Sequence, residues 1–414
     1  MYTDLGAAPE STPLDLGFDP NDMGFVADPY PAYERLRALA PIVYEEATDH
    51  WLVTRFDDVR SMLRDRRFGR TYLHLATHEA MGRERPPVSR DAFWHLINNG
   101  ILDMEPPDHT RVRRLVSKAF TPRMVESMRE PVQRLTDELI DALAGAGEFD
   151  LLPTIAEPLP VAVIAELLGV PHADRGLLRP WSADICRMYE LHPTERDAAV
   201  AVAASVEFSE YLRVLSRERR AAPMGDLISE MALVVDEGDH LTEDELIGTC
   251  VLLLNAGHEA TVNVTGNGWW ALFRNPDGLA RLRTDPGLVP MAVEELMRWD
   301  TPLQLFERWV LEDVEIHGVH VPHGAELGLV FGSANRDPSR FNEPDDLRLD
   351  RDPNPHLTFG AGIHFCLGAP LARLELQTSF ETVLRRLPDL ELVDEPKWKP
   401  GYIIRGLESL RVRA

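Results

Sequence analysis

"HLTFGAGIHFCLGAPLARLE", residues 356–375, is the stretch on which the reading of this chain turns. Cys366 stands among Gly360, Gly362 and Gly368, directly before a helical pattern with Pro370 in its first turn. Glycines let backbone come close to a flat ligand, and their unhindered amides can point at the sulfur. A cysteine at a helix N-terminus is favoured as the thiolate by the dipole and the exposed N–H groups. Those are the needs of a sulfur that binds a metal. The other two cysteines, Cys186 and Cys250, complete a set too small and scattered for a disulfide framework or a C-x-x-C zinc site.

With 414 residues the chain can bury a large core, and its formal charge of −25 repels phosphate. Nucleic acid and anionic membranes are therefore excluded as general partners. No apolar run approaches the roughly 20 residues needed to span a bilayer. The start, "MYTDLGAAPESTPLDLG", has no basic region followed by an apolar stretch, so a cytoplasmic protein is expected. "HTRVRRLVSKAFTPR", residues 109–123, carries five Lys or Arg residues and no acid. It reads either as a basic face or as a solvated helix face.

Periodicity is mostly helical, with short strands near the start and in the last third. "DPYPAYERLRALAPI" reads as an amphipathic helix ended by Pro41, and "HWLVTRFDDVRSMLRD" as a strand that turns into a helix. Between Phe68 and Asn99 the pattern weakens, which predicts a long irregular loop. Helical patterns follow over 110–145, 158–168, about 175–234 and about 367–386. Thr242 with Glu245 forms a T-x-x-E capping box, and the pattern behind it runs without a breaker to Arg274. Such a helix is about 50 Å long. No repeat, low-complexity tract or Gly/Ser linker interrupts the chain, so 1–414 reads as a single domain, with about 1–20 poorly ordered.

Near the centre of that long helix lies "LLNAGHEATVN", residues 253–263. His258 and Glu259 resemble half of a zinc-protease H-E-x-x-H helix, but the second histidine would fall at Val262, so the zinc reading fails. A core helix with one satisfied polar pair is the plain alternative.

The cysteine segment is similar to the haem-binding loop of the cytochrome P450 family. Its pattern F-G-x-G-x-H-x-C-x-G is met by Phe359, Gly360, Gly362, His364, Cys366 and Gly368. Other segments resemble that family in its own order. These are "MEPPDHTRVRRLV" with His109 and Arg113, "EELMR" with Glu295 and Arg298, "ERWV" with Arg308, then "ANRDP" and "FNEPDDLRLDR". The resemblance runs from "DPYPAYERLR" to "RLPDLEL" and is to the soluble bacterial branch.

The resemblance implies a mainly α fold with small β-sheets, in which a long distal helix and the cysteine loop sandwich haem b. It implies Cys366 as the iron ligand and His109, Arg113 and Arg308 as propionate ligands. Glu295, Arg298 and Arg351 take architectural roles behind the loop. A thiolate ligand favours O–O cleavage, so the implied activity is a monooxygenase that puts one oxygen atom of O2 into a small organic molecule, by hydroxylation or oxidative demethylation. Electrons would come from NAD(P)H through a reductase and a ferredoxin, and Arg111, Arg114 and Lys118 with Arg373 are the expected basic docking face. A monomer is expected.

On the distal helix the resemblance implies A/G-G-x-D/E-T. Ala256 and Gly257 fit, permitting close approach and a local break in helix hydrogen bonding, and Glu259 fits as the proton-relaying acid. The threonine is replaced by Ala260. Three accounts stay open: Thr261 substitutes, although one residue turns its side chain by about 100°; a water chain or a substrate hydroxyl fills the gap, the favoured account; or the enzyme is peroxide-driven or catalyses something other than hydroxylation. The substrate pocket is expected to draw on Phe93, His95, Ile97, Met188, Leu252, Asn255, Leu303 and Ile404. From other classes come a haem-binding sensor or carrier and a cysteine protease; no resembling His and Asn arrangement accompanies Cys366 for the latter.

Overall fold

In a computed structural model, residues 12–414 are described, and they fall into two compact units. The first comprises residues up to 85, 294–366 and 397–408; the second comprises 86–293, 367–396 and 409–414. No helix among the described residues is long and apolar enough to cross a membrane.

The first unit is built on a five-stranded mixed sheet. Its order is Ile42–Glu45, His50–Val53, Glu326–Val330, Leu305–Val310, Phe68–Gly69. The first two strands form a hairpin, with Val43 opposite Leu52 and Asp49 in the left-handed region at φ 55°. The Tyr44 hydroxyl donates to Asp49 Oδ1 at 2.8 Å, one of the local side-chain bonds through which Asp suits turns. His50–Val53 then pairs in parallel with Glu326–Val330, which pairs antiparallel with Leu305–Val310. One cluster of buried side chains includes Trp51, Val53, Phe56, Leu327, Leu329 and Phe341. The helix Phe56–Met62 follows its strand as the sequence predicts, and Tyr30–Leu39 stops before Pro41.

The second unit is helical, with a small sheet of Glu148–Asp150, Arg411–Arg413 and Glu391–Leu392. The helix Pro158–Leu168 is buried nearly all round, and the 31-residue helix Glu243–Phe273 is the longest element. Its capping box is made as the sequence predicts: Glu245 N–H donates to Thr242 Oγ1 at 3.2 Å and Thr242 N–H to Glu245 Oε2 at 2.9 Å. Trp269 of this helix stacks on Phe380 of Ala369–Arg386, with centroids 5.2 Å apart.

Several expectations are corrected. The pattern over 110–145 is three helices, Asp108–Ala119, Pro122–Ser127 and Arg129–Asp141, because Thr121 caps a new start with Pro122 at its first position. The pattern over 175–234 breaks after Tyr189 and restarts at Glu195, capped by Thr194. The expected irregular loop contains the helix Asp91–Asn98, so Phe93 and Ile97 are helical. Of the first twenty residues, 1–11 lie outside the described residues. Leu16 and Phe18 beyond them are buried, Phe18 edge-on to Phe25 and Tyr402.

Candidate functional site

The cysteine loop is fixed at its base by one asparagine. Asn335 Oδ1 accepts the Leu357 amide at 2.7 Å, its Nδ2 donates to Thr358 Oγ1 at 3.1 Å, and that hydroxyl donates to the Met297 carbonyl at 2.8 Å. From there the chain turns sharply. Gly360 and Gly362 both have positive φ, 68° and 73°, where a side chain is strained. Gly362 is doubly required, since a Cβ there would lie 2.1 Å from the Leu63 carbonyl oxygen. The Cys366 amide closes the loop by donating to the Phe359 carbonyl at 2.9 Å.

Cys366 is partly exposed, whereas Cys186 and Cys250 are buried. Burial pushes both of those thiols up, away from ionisation. Cys366 is therefore the cysteine whose surroundings suit ligation.

Behind the loop sits a buried ion-pair network. Arg298 grips Glu295 with Nε at 2.7 Å and Nη2 at 2.8 Å, and neither side chain is exposed. Arg351 Nε donates to the same carboxylate at 3.0 and 3.1 Å, with Asn354 Nδ2 and the Arg348 amide adding two more donors. The two guanidiniums also donate to the carbonyls of Asn335, Asn342, Glu343, Pro344 and Asp346. A carboxylate so surrounded holds the 342–354 meander to the helix Val289–Trp299.

On the long helix, burial is uneven in a regular way. Leu252, Leu253, Gly257, Glu259 and Ala260 are only partly buried and Ala256 is exposed, while Leu254, Asn255, His258, Thr261 and Val262 are buried. The less buried positions repeat at three and four residues, so they form one stripe. Thr261 falls outside it, 5 % exposed, and its carbonyl accepts the Thr265 hydroxyl at 2.9 Å. The helix runs unbroken through this stretch, correcting the expected local break. Gly257 serves packing there: a Cβ would come 3.0 Å from Ile164 Cδ1.

A family model for cytochrome P450 matches residues 287–398. The monooxygenase PikC of Streptomyces venezuelae is 40 % identical over 421 residues, covering 99 % of this chain and 96 % of its own. The 6-deoxyerythronolide B hydroxylase of Saccharopolyspora erythraea is 38 % identical over 399 residues, 94 % and 96 % of the two chains. Among solved structures, P450BioI in complex with an acyl carrier protein ligated to hexadec-9Z-enoic acid is 36 % identical with TM-score 0.88, covering 94 % and 99 %. This chain belongs to the cytochrome P450 family.

It is thus a P450 monooxygenase, and the family's cofactor is haem b bound through an iron–thiolate bond. The donor set of the chain fits that group: a partly exposed cysteine that follows two left-handed glycines, and buried basic side chains. Arg308 is 1 % exposed on Leu305–Val310, over the Phe306 ring at 4.5 Å. His109 is 2 % exposed on Asp108–Ala119, and Arg113 lies one turn on along the same face. Phe359 and Phe365 are ring neighbours within the loop at 6.4 Å, and His364 ends its short turn Gly362–His364.

Of the candidate substrate positions, Leu303 and Ile404 are brought together as an isolated β-bridge although a hundred residues separate them in sequence. Phe93, Ile97 and Leu252 share one apolar cluster, and Asn255 Nδ2 lies 3.4 Å from the Tyr189 hydroxyl. Three of the four residues expected on the basic docking face are ion-paired within the chain. Arg114 pairs with Asp236 and Glu237 at 2.7 Å each, Lys118 pairs with Asp236, and Arg111 pairs with Glu245. The acids come from more than a hundred residues downstream, which a local charge count does not see. Sequence reasoning also missed Asn335 as the anchor of the loop, although the motif "ANRDP" that contains it was singled out.

Proposed function

We propose that this P450 inserts one oxygen atom of O2 into a macrolactone or a long acyl chain, with Cys366 as the iron ligand and Glu259 as the proton-relaying acid. The observation that carries the reading is the less buried stripe of small and apolar positions, Leu252, Leu253, Ala256, Gly257 and Ala260, along an otherwise buried helix with one carboxylate, Glu259, at its edge. The substrate class rests on relatives whose names specify hydroxylation of 6-deoxyerythronolide B and a fatty acyl chain on a carrier protein.

The overall reaction takes RH, O2, two electrons and two protons to ROH and water. Haem held by a thiolate supplies the oxygen activation. The chain's own residues do the rest. His109, Arg113 and Arg308 would hold the propionates, and the Glu295 network fixes the backbone that carries Cys366. Glu259, with His258 Nδ1 3.7 Å from its Oε1, passes protons inward from water. Ala260 offers no hydroxyl, and Thr261 lies on the buried side of the helix, so a water chain or a hydroxyl of the substrate completes the relay. Electrons come from NAD(P)H through a reductase and a ferredoxin.

The test has two parts. The reduced protein with carbon monoxide gives the spectrum of a thiolate-ligated haem, and Cys366→Ala abolishes it while the fold persists by circular dichroism; an unchanged spectrum refutes the ligand assignment. A panel of macrolactones and fatty acids with labelled dioxygen then yields singly labelled product. Product formed only with peroxide, and not with NAD(P)H and a ferredoxin system, overturns the proton-relay reading.

A further inference from the structure

We infer that His50, Glu307 and Glu326 form a binding site for a divalent transition-metal ion, with zinc as the type case, on one face of the five-stranded sheet. Strand register brings them together. His50 is paired with Glu326 across parallel strands, and Glu326 with Trp309 across antiparallel ones, so all three point to one face. Glu307 sits two residues before Trp309, on the same face and diagonal to Glu326. Arg308 between them points the other way. Ligand atoms of His50, Glu307 and Glu326 all lie within 4.8 Å of one another.

The imidazole is set for ligation. His50 is 7 % exposed, and its Nδ1 lies 2.5 Å from the Thr48 carbonyl oxygen. A carbonyl can only accept, so Nδ1 carries the proton and Nε2 presents a lone pair. A backbone carbonyl holding one ring nitrogen is the support that orients metal-binding histidines. Nε2 itself makes no hydrogen bond among the described residues; Glu307 Oε1 is 3.8 Å away, beyond hydrogen-bond range.

An imidazole nitrogen and two carboxyl groups therefore converge on one point of the sheet face, the donor set of a metal site. Two arginines border the cluster. Arg83 is drawn to Asp49 at 2.8 Å and the Gly324 carbonyl at 3.1 Å. Arg70 donates to the Glu307 carbonyl at 3.0 Å and lies 4.0 Å from Glu307 Oε2, leaving Oε1 turned to His50. One imidazole and two carboxylates suit zinc and its neighbours better than magnesium. A tetrahedral site with arms of about 2.1 Å has edges of about 3.4 Å, so modest side-chain rotation closes the cluster. The ion would clip three strands together.

The haem-loaded full chain, stripped with a chelator, is titrated with zinc by calorimetry, with bound metal counted after dialysis. One ion per chain with micromolar Kd is expected, with a saturable rise in Tm that an equal concentration of magnesium does not give. His50→Gln and Glu326→Gln each weaken binding at least tenfold, and each variant is first shown to keep its haem spectrum and a cooperative melt without metal. If His50→Gln does not fold, Glu326→Gln and Glu307→Gln decide. No stoichiometric uptake by the wild type, an equal response to magnesium, or zinc binding that survives the substitutions within twofold overturns the site.

Discussion

Glu375 shows what a single buried carboxyl does to the whole chain. It is 3 % exposed on the helix Ala369–Arg386, and its Oε1 accepts no hydrogen bond among the described residues. Burial pushes its pKa from 4.5 up to about 8. Below pH 4.5 both folded and unfolded chains hold this proton. Between 4.5 and 8 only the folded chain does, so stability falls as pH rises through that window, by a few kcal/mol at about 1.36 kcal/mol per unit. Glu375→Gln removes the loss: the variant is more stable than wild type at pH 8, with the gap closing toward pH 5. Urea midpoints at the two pH values check this, and a gap that does not change with pH contradicts it. Ala260 carries the second test at this scale. Because the structure puts Thr261 on the buried side, Ala260→Thr is expected to raise product formed per NAD(P)H for substrates lacking a hydroxyl near the oxidised carbon. Thr261→Ala should change that ratio little. The reverse pattern would make Thr261 the relay. Cys366, Glu295 and Arg298 were readable because their chemistry is written in spacings of a few residues. The His50, Glu307 and Glu326 cluster was not, because strand register assembles it from positions 19 to 276 residues apart.

At the scale of elements, the long helix was legible from end to end because its start has a capping box and its interior has no breaker. What sequence could not show is which of its glycines the fold requires. A Cβ on Gly248 would lie 2.7 Å from the Asn99 carbonyl carbon and 2.8 Å from Gly100 N, both backbone. A Cβ on Gly257 would meet only the Ile164 side chain, at 3.0 Å. Alanine gains about 1 kcal/mol of helix propensity at either place. Against a backbone that cannot yield, the clash at Gly248 exceeds that gain, and Gly248→Ala is expected to destabilise by about 1–3 kcal/mol. Gly257→Ala should fall within about 1 kcal/mol of wild type, since an isoleucine can change rotamer. Denaturant midpoints at unchanged m-value report both. Equal effects would mean that the Asn99–Gly100 turn shifts freely. The helices over 110–141 were merged in the sequence reading for the converse reason: Thr121-Pro122 restarts a helix without disturbing the apolar period.

For the molecule as a whole, charge sets how an electron donor is met. The chain carries −25, and three of the five basic residues of the stretch that stands out in sequence, Arg111, Arg114 and Lys118, pair with Asp236, Glu237 and Glu245. With Arg111, Arg114 and Lys118 paired internally, they add little field beyond the surface. An acidic iron–sulfur donor then meets a field that is repulsive on average, and screening relieves it. The Debye length shrinks from about 30 Å at 0.01 M salt to about 8 Å at 0.15 M. Second-order electron transfer from an acidic ferredoxin is therefore expected to speed up over that range, whereas docking onto a free basic face would slow it. Arg114→Glu with Lys118→Glu should leave the sign of the salt dependence unchanged. Stopped-flow reduction of the carbon monoxide-trapped haem at the two ionic strengths decides it: a rate that falls with salt in wild type, and loses that fall in the double variant, would restore the basic face as the docking site.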